Sequence, residues 1–291
     1  VTATAAASAA GPRPPVDGSP PPRRPTRARR LRRTGADTLV LTRRNFRHMV
    51  RDPFEPVIAI TMPVMVVLLF GYVFGDVMAP PGTENYREFL VPAMLAMVML
   101  YGVGGTASGV ARDTARDVMS RFRSMPMSPA ALLGARVLSD MARAFLEVAL
   151  LLLVGSAMDW RAEEGFFGAL AAVGVLLLFR LALVWLGVLM GLLLPTADSV
   201  SMVVYPLTFP LSMLSTSFVP SGAMPSWLAP VAEWNPLSAV VTATRDLFGN
   251  PSLPSDAWPA ENALLVAVAL PAAVMLLVTP LAVRRFRRLS R

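Results

Sequence analysis

The sequence contains no cysteine, no lysine and one histidine, His48. Without cysteine there can be no disulfide framework, thiolate metal site or cysteine nucleophile. One histidine cannot build a histidine metal cluster. The absence of lysine removes Schiff-base chemistry and the lysine of a phosphate-binding loop. Charge is also scarce. Charged residues make up 16% of the 291 and hydrophobic ones 54%, against roughly 25% and 45–50% in ordinary globular chains. This composition points to an integral membrane protein.

The basic charge is all arginine, and the net charge is +8. Such a balance suits nucleic acid or a membrane surface. The arginines gather at the ends of apolar runs, so the expected partner is the lipid bilayer and not nucleic acid.

Residues 1–36 are rich in Ala, Pro and Arg and have no apolar periodicity. They are expected to be disordered, because they bury too little surface to offset their ordering entropy. They lack the apolar stretch of a secretory signal and are not read as a cleaved leader. Residues 37–56 read as an interfacial segment. Leu39, Phe46, Met49 and Val50 fall on one side of a helix, and Arg43, Arg44, Arg47 and Arg51 on an adjacent sector facing headgroups; Pro53 ends it.

Residues 57–283 form the expected membrane domain, an all-α unit of six transmembrane helices. The spans are 57–77, 89–110, 137–158, 166–194, 200–219 and 262–283, each near the roughly 20 residues needed to cross. Pro63, Pro92, Pro206, Pro210, Pro271 and Pro280 are tolerable where neighbours satisfy the freed carbonyls. The pair Pro206 and Pro210 predicts a kink in the fifth span. Residues 284–291 are read as a basic cytoplasmic tail. With both termini inside, twelve arginines precede the first span, six lie from Arg112 to Arg143 and five end the chain. Only Arg87, Arg161 and Arg245 then fall outside, and Arg180 lies within a span. The positive-inside rule selects N-in, C-in. The outer segment 220–261, with Trp227, Trp234 and Trp258, reads as short helices dipping into the outer interface. No internal repeat is visible, which disfavours transporters built from duplicated halves.

No Walker, nucleophile-elbow or zincin motif is present. Gly102, Gly104, Gly105 and Gly109 lie inside an apolar span, where small residues let helices approach closely; a phosphate loop is the weaker reading. Glu147 and Arg180 stand at similar depths in adjacent antiparallel spans and could pair. They would be a fixed staple or a polar element of a transport path, or Arg180 would snorkel to an interface.

Between the second and third spans lies the basic stretch ARDTARDVMSRFRSMPMSPAALLGAR, residues 111–136. Asp113 and Asp117 alternate with Arg112, Arg116, Arg121 and Arg123 at spacings that stabilise a short helix. Met119, Phe122 and Met125 give it apolar knobs, and Pro126 and Pro129 stop it. Such a helix fits a partner's groove; a solvated basic loop is the plainer alternative.

Together with RRNFRHMVRDP, LLFGYVFG, RFRSMPMSPAALLGAR followed by LSDMAR, and FPLSMLSTSFVPSGAMPSWLAPVAEWNPLSAVVTATRDLF, the chain resembles the permease subunit of ABC type-2 exporters, in the daunorubicin-resistance branch. The resemblance runs from about residue 38 to 283. It implies a permease homodimer with two copies of a separate ABC ATP-binding subunit, which would hold ATP and Mg and carry out hydrolysis; this chain would be non-catalytic and without a cofactor of its own. It implies that the loop after the second span is a coupling helix, with Arg116, Asp117, Phe122, Pro126, Met127 and Leu133 in or beside it. The interfacial segment would be a connecting helix, and residues 220–248 outer re-entrant helices. The cargo would be a hydrophobic or amphipathic compound such as an antibiotic, or, as in related branches, a lipid or polysaccharide, exported across the bacterial cell membrane. Arg180 departs from the neutral residue expected there. Two other classes stay open: an ion-coupled transporter using Glu147 and Arg180 without an ATPase, and a lipid-modifying membrane enzyme, which the scattered carboxylates disfavour.

Overall fold

The structure, a computed structural model, describes residues 54–73, 86–115, 129–217, 221–252, 255 and 257–289. The tail 1–36, the interfacial segment up to Pro53, and Arg116, Asp117, Phe122, Pro126 and Met127 of the expected coupling helix lie outside the described residues.

Among the described residues the chain is helical and has no strand. The helices are α1 (Phe54–Tyr72), α2 (Tyr86–Ala115), α3 (Pro129–Ala157), α4 (Gly165–Leu193), α5 (Ala197–Met213), α6 (Ala229–Glu233), α7 (Pro236–Phe248), α8 (Trp258–Glu261) and α9 (Ala263–Leu289). A single 3-10 turn, Ser221–Ala223, precedes α6. By length and composition, α2, α4 and α9 can each cross a membrane. The other three expected spans differ for visible reasons. Helix α1 has a shorter apolar stretch, Ile60–Tyr72. Helix α3 carries Arg136, Asp140, Arg143 and Glu147. Helix α5 has 17 residues and ends at Met213, not 219; at 1.5 Å per residue that is about 25 Å.

Helix α2 is the centre. Phe89, Leu90, Ala93, Leu95, Ala96, Met99 and Ala107 are fully enclosed, because α1, α3, α4, α5 and α7 all pack on it. Helix α9 lies at the periphery on α4 and α7 and exposes Leu264, Leu265, Leu276, Leu277 and Leu281, the apolar surface a bilayer would cover.

The α2–α4 approach depends on two glycines of α4. A Cβ at Gly191 would stand 2.5 Å from the Ala107 carbonyl oxygen, and one at Gly187 3.0 Å from that of Val103. Gly191→Val should therefore drive the two backbones apart and lower the melting temperature of the detergent-solubilised protein, by a cost of about 1–3 kcal/mol. Gly187→Ala should cost less. Equal melting of Gly191→Val and wild type would contradict the close approach.

Where α2, α3, α4 and α9 meet at one end, Val110, Leu133, Val188, Leu192, Ala282 and Phe286 form a second apolar cluster. It explains why residues 284–289, expected as part of a tail, continue α9. Phe286 has a buried site to fill, and Arg287 and Arg288 in the last turn complement the negative helix C-terminus.

Candidate functional site

Buried cations held by backbone carbonyls are the recurrent polar feature of the bundle. On α3, Arg136, Asp140, Arg143 and Glu147 lie at i, i+4, i+7 and i+11, one face of a helix, and span about 16 Å at 1.5 Å per residue. Arg136 Nε donates to Asp140 Oδ2 at 3.3 Å, and its Nη1 lies 3.9 Å from Asp113 Oδ2 on α2. Its Nη2 reaches the carbonyls of Gly105 and Thr106, each at 3.3 Å. Arg143 Nε donates to Glu147 Oε1 at 3.0 Å.

Arg180 comes from α4 and is buried. Its Nη1 donates to the Met99 carbonyl at 3.0 Å. The guanidinium fills the space where Gly102 has no side chain, and that of Arg136 likewise occupies the space at Gly109. Two glycines seven residues apart, hence on one face of α2, thus each seat an arginine from a different helix. Sequence reasoning assigned these glycines to close helix packing; Gly187 and Gly191 do that, while Gly102 and Gly109 make room for cations. Gly104 meets the Tyr205 ring at 3.5 Å, and nothing lies within 4 Å of a Cβ at Gly105.

Glu147 and Arg180 are both buried but share no hydrogen bond or ion pair in this structure. Glu147 is taken by Arg143, one turn earlier on its own helix. Glu147 Oε2 and Arg180 Nε are left without hydrogen-bond partners. Leu133, the one described residue of those expected in or beside the coupling helix, lies in the first turns of α3 and is buried in the apolar cluster there.

The helical end formed by α6, α7 and the neighbouring turns is a second polar construction. Asn235 Oδ1 accepts from Leu237 N at 2.9 Å and caps α7, with Pro236 behind it. Its Nδ2 donates to the Leu211 and Leu214 carbonyls at 2.7 Å each, satisfying acceptors that the end of α5 leaves open. One side chain so ends α5 and begins α7. Gly249, at φ 72°, closes α7 in the left-handed conformation. Trp160 Nε1 donates to Asn250 Oδ1 at 2.9 Å, and Asn250 Nδ2 to the Arg161 carbonyl at 3.1 Å, tying the α3–α4 turn to this platform. Trp227, Trp234 and Trp258 are exposed, and the last two stack at 6.4 Å.

Arg245 holds the platform to α2. Nε and Nη2 donate to the Phe89 carbonyl at 3.2 and 3.0 Å, Nη2 also to that of Ser217 at 2.8 Å, and Nη1 to that of Thr216 at 3.3 Å. The guanidinium lies 3.5 Å above the Phe89 ring. Arg87 acts similarly between α1 and α3: its Nη1 donates to the Met158 carbonyl at 2.7 Å, and its guanidinium covers Tyr72 at 4.8 Å. Sequence reasoning marked Arg87 and Arg245 only as exceptions in the charge count. Local sequence carried no signal for these roles, since an acidic residue follows each of them, Glu88 and Asp246, and their partners are distant in the chain.

No group of histidine, cysteine, aspartate and glutamate able to hold a metal occurs among the described residues. The arrangement is that of a multi-pass membrane protein: apolar helices around a buried one, with cations hydrogen-bonded to carbonyls and, on α3, paired with carboxylates. The family model described as ABC-2 type transporter matches residues 36–248, and the chain belongs to that family. It is 29% identical over 203 residues to the "Daunorubicin resistance ABC transporter permease protein DrrB1" of Streptomyces coeruleorubidus, covering 70% of each chain. It is 23% identical over 220 residues to the "Probable doxorubicin resistance ABC transporter permease protein DrrC" of Mycobacterium tuberculosis, covering 75% of this chain and 79% of that one. It is 24% identical over 187 residues to the "Probable multidrug ABC transporter permease YbhR" of Escherichia coli, covering 64% of this chain and 50% of that one. Family membership places the protein in the cell membrane and implies an ABC ATP-binding subunit as partner.

Proposed function

We propose that this chain is the permease subunit of an ATP-driven exporter that moves hydrophobic or amphipathic compounds, drugs and antibiotics among them, out of the cell. ATP and Mg are held by a separate ATP-binding subunit, and two copies of the permease form the pathway. The observation that carries this reading is the family match over residues 36–248 together with relatives named for daunorubicin, doxorubicin and multidrug transport.

On this reading α1, α3 and α5 cross the membrane together with the three long apolar helices α2, α4 and α9, both termini lie inside, and α6–α8 form re-entrant and interfacial elements at the outer face. Two of the three outside arginines support this orientation. Arg87 and Arg245 are committed to backbone carbonyls, as is Arg180 within its span, so they are not free loop cations competing with the inner clusters; Arg161 is exposed in the turn between α3 and α4. The exposed tryptophans of the platform suit the outer membrane–water interface. The loop after the second span serves as the coupling helix that engages the ATPase, with Arg116, Asp117, Phe122, Pro126 and Met127 in or beside it. Leu133, near the start of α3, packs that helix against α2, α4 and α9, so force delivered to α3 reaches the bundle directly.

Deleting Arg116 to Pro126 should abolish transport driven by the partner ATPase, more than tenfold in drug efflux from cells, while the variant still inserts in the membrane. Efflux at the wild-type rate would overturn the coupling assignment. Drug sensitivity of a strain lacking both subunits, restored only by the pair, tests the exporter reading itself.

A further inference from the structure

We propose that Glu147 exchanges ion-pair partners during the transport cycle, leaving Arg143 for Arg180, so that α3 and α4 have two stable registers. This proposal rests on the exporter reading above and concerns what moves inside it.

In the present arrangement Glu147 uses one carboxylate oxygen, Oε1, on Arg143, while Oε2 is buried and unbonded. Arg180 uses Nη1 on Met99, while Nε is buried and unbonded. One unmet atom is an acceptor and the other a donor. They belong to side chains of opposite charge on two packed helices. A buried polar atom without a partner carries a free-energy penalty, so a displacement that joins the two removes both penalties at once.

The partner left behind is suited to being left. The Arg143 side chain is 23% exposed, against 6% for that of Glu147, so its charge can turn toward water or headgroups. Arg180 is almost fully enclosed and cannot follow Glu147 outward. Asp140 is not an equivalent substitute, because it is already engaged by Arg136. The helices are antiparallel neighbours joined by the short segment 158–164, a connection that permits a slide or rotation of α3 against α4 while both stay packed. Two packings with different ion pairs are a bistable element of the kind that differential binding of a partner can bias. The nucleotide-driven ATPase, acting through the segment that precedes α3, is the partner that would supply the bias.

The test uses the permease assembled with its ATP-binding subunit in lipid nanodiscs, ATP-free and trapped with ATP and vanadate. Double-mutant cycles in melting temperature combine Glu147→Gln with Arg143→Gln and with Arg180→Gln. In the ATP-free complex Glu147 should couple to Arg143 and not to Arg180; in the trapped complex the coupling should move to Arg180. Coupling to Arg143 in both states overturns the exchange. Should Arg180→Gln fail to assemble, wild-type protein gives the second measurement. Peptide-resolved phenylglyoxal labelling of Arg143 should be several-fold faster in the trapped complex, and an unchanged rate overturns the proposal. Failure to retain nucleotide under vanadate, seen before either measurement, instead overturns the ATP-driven reading of the preceding section.

Discussion

Arg245→Ala is expected to detach the outer platform from α2, lowering stability by on the order of 5 kcal/mol and abolishing a single cooperative melting transition. The guanidinium reaches three carbonyls, and those of Thr216 and Ser217 lie beyond the end of α5, outside any helix. A buried carbonyl deprived of its donor costs roughly 1–3 kcal/mol, and loss of the ring contact with Phe89 adds to this. No carboxylate lies within ion-pair distance of Arg245 among the described residues. Removing it therefore strands no opposite charge, and the loss comes from the carbonyls and the void. Arg245→Lys separates these contributions. An ammonium keeps the charge but has no planar fork to serve Phe89 and Ser217 together, so about half the destabilisation should remain. Thermal unfolding of the detergent-solubilised protein, followed by tryptophan fluorescence, reads both; the stack of Trp234 on Trp258 reports the platform directly. Full stability in Arg245→Ala would show that Asn235 and Asn250 hold the platform without it.

Sequence reasoning reached the helices whose limits are set by their own composition. Helices α2, α4 and α9 are apolar over more than the span length, so their existence follows from hydropathy alone. Ends fixed by distant residues were misplaced. Helix α5 stops at Met213, where Asn235 takes the last carbonyls, and α9 runs on to Leu289, where Phe286 finds a pocket among α2, α3 and α4. The charged site shows the same division. The Arg143–Glu147 pair obeys the local i,i+4 rule, yet similar depth pointed to Arg180 as the partner, and the local rule governs here. The seat of Arg180 has no linear signature, since Met99 is 81 residues away. Arg245 and Phe89, 156 residues apart, are equally invisible to local pattern. A glycine that seats a guanidinium and a glycine that admits a helix read alike in one dimension.

Gly102→Ala should be among the most damaging single-methyl changes in the protein. A Cβ there would overlap Nη1, Cζ and Nη2 of Arg180, the charged end of a side chain that is 2% exposed. The guanidinium would have to give up Met99 and find another place at membrane depth, where an unpaired charge costs about 3 kcal/mol. Gly105→Ala, one turn along the same helix, meets nothing within 4 Å; alanine's helix propensity should make it neutral or stabilising by up to about 1 kcal/mol. The pair therefore distinguishes a filled seat from a general need for small residues on α2. If close helix packing were the reason for both glycines, both variants would destabilise; if Arg180 is the reason, only the first will. Combining Gly102→Ala with Arg180→Met should recover most of the lost melting temperature, because the clash and the buried charge leave together. Wild-type melting in Gly102→Ala alone would refute the seat. Rescue by Arg180→Met without recovery of drug efflux would assign to the arginine a role in transport beyond packing.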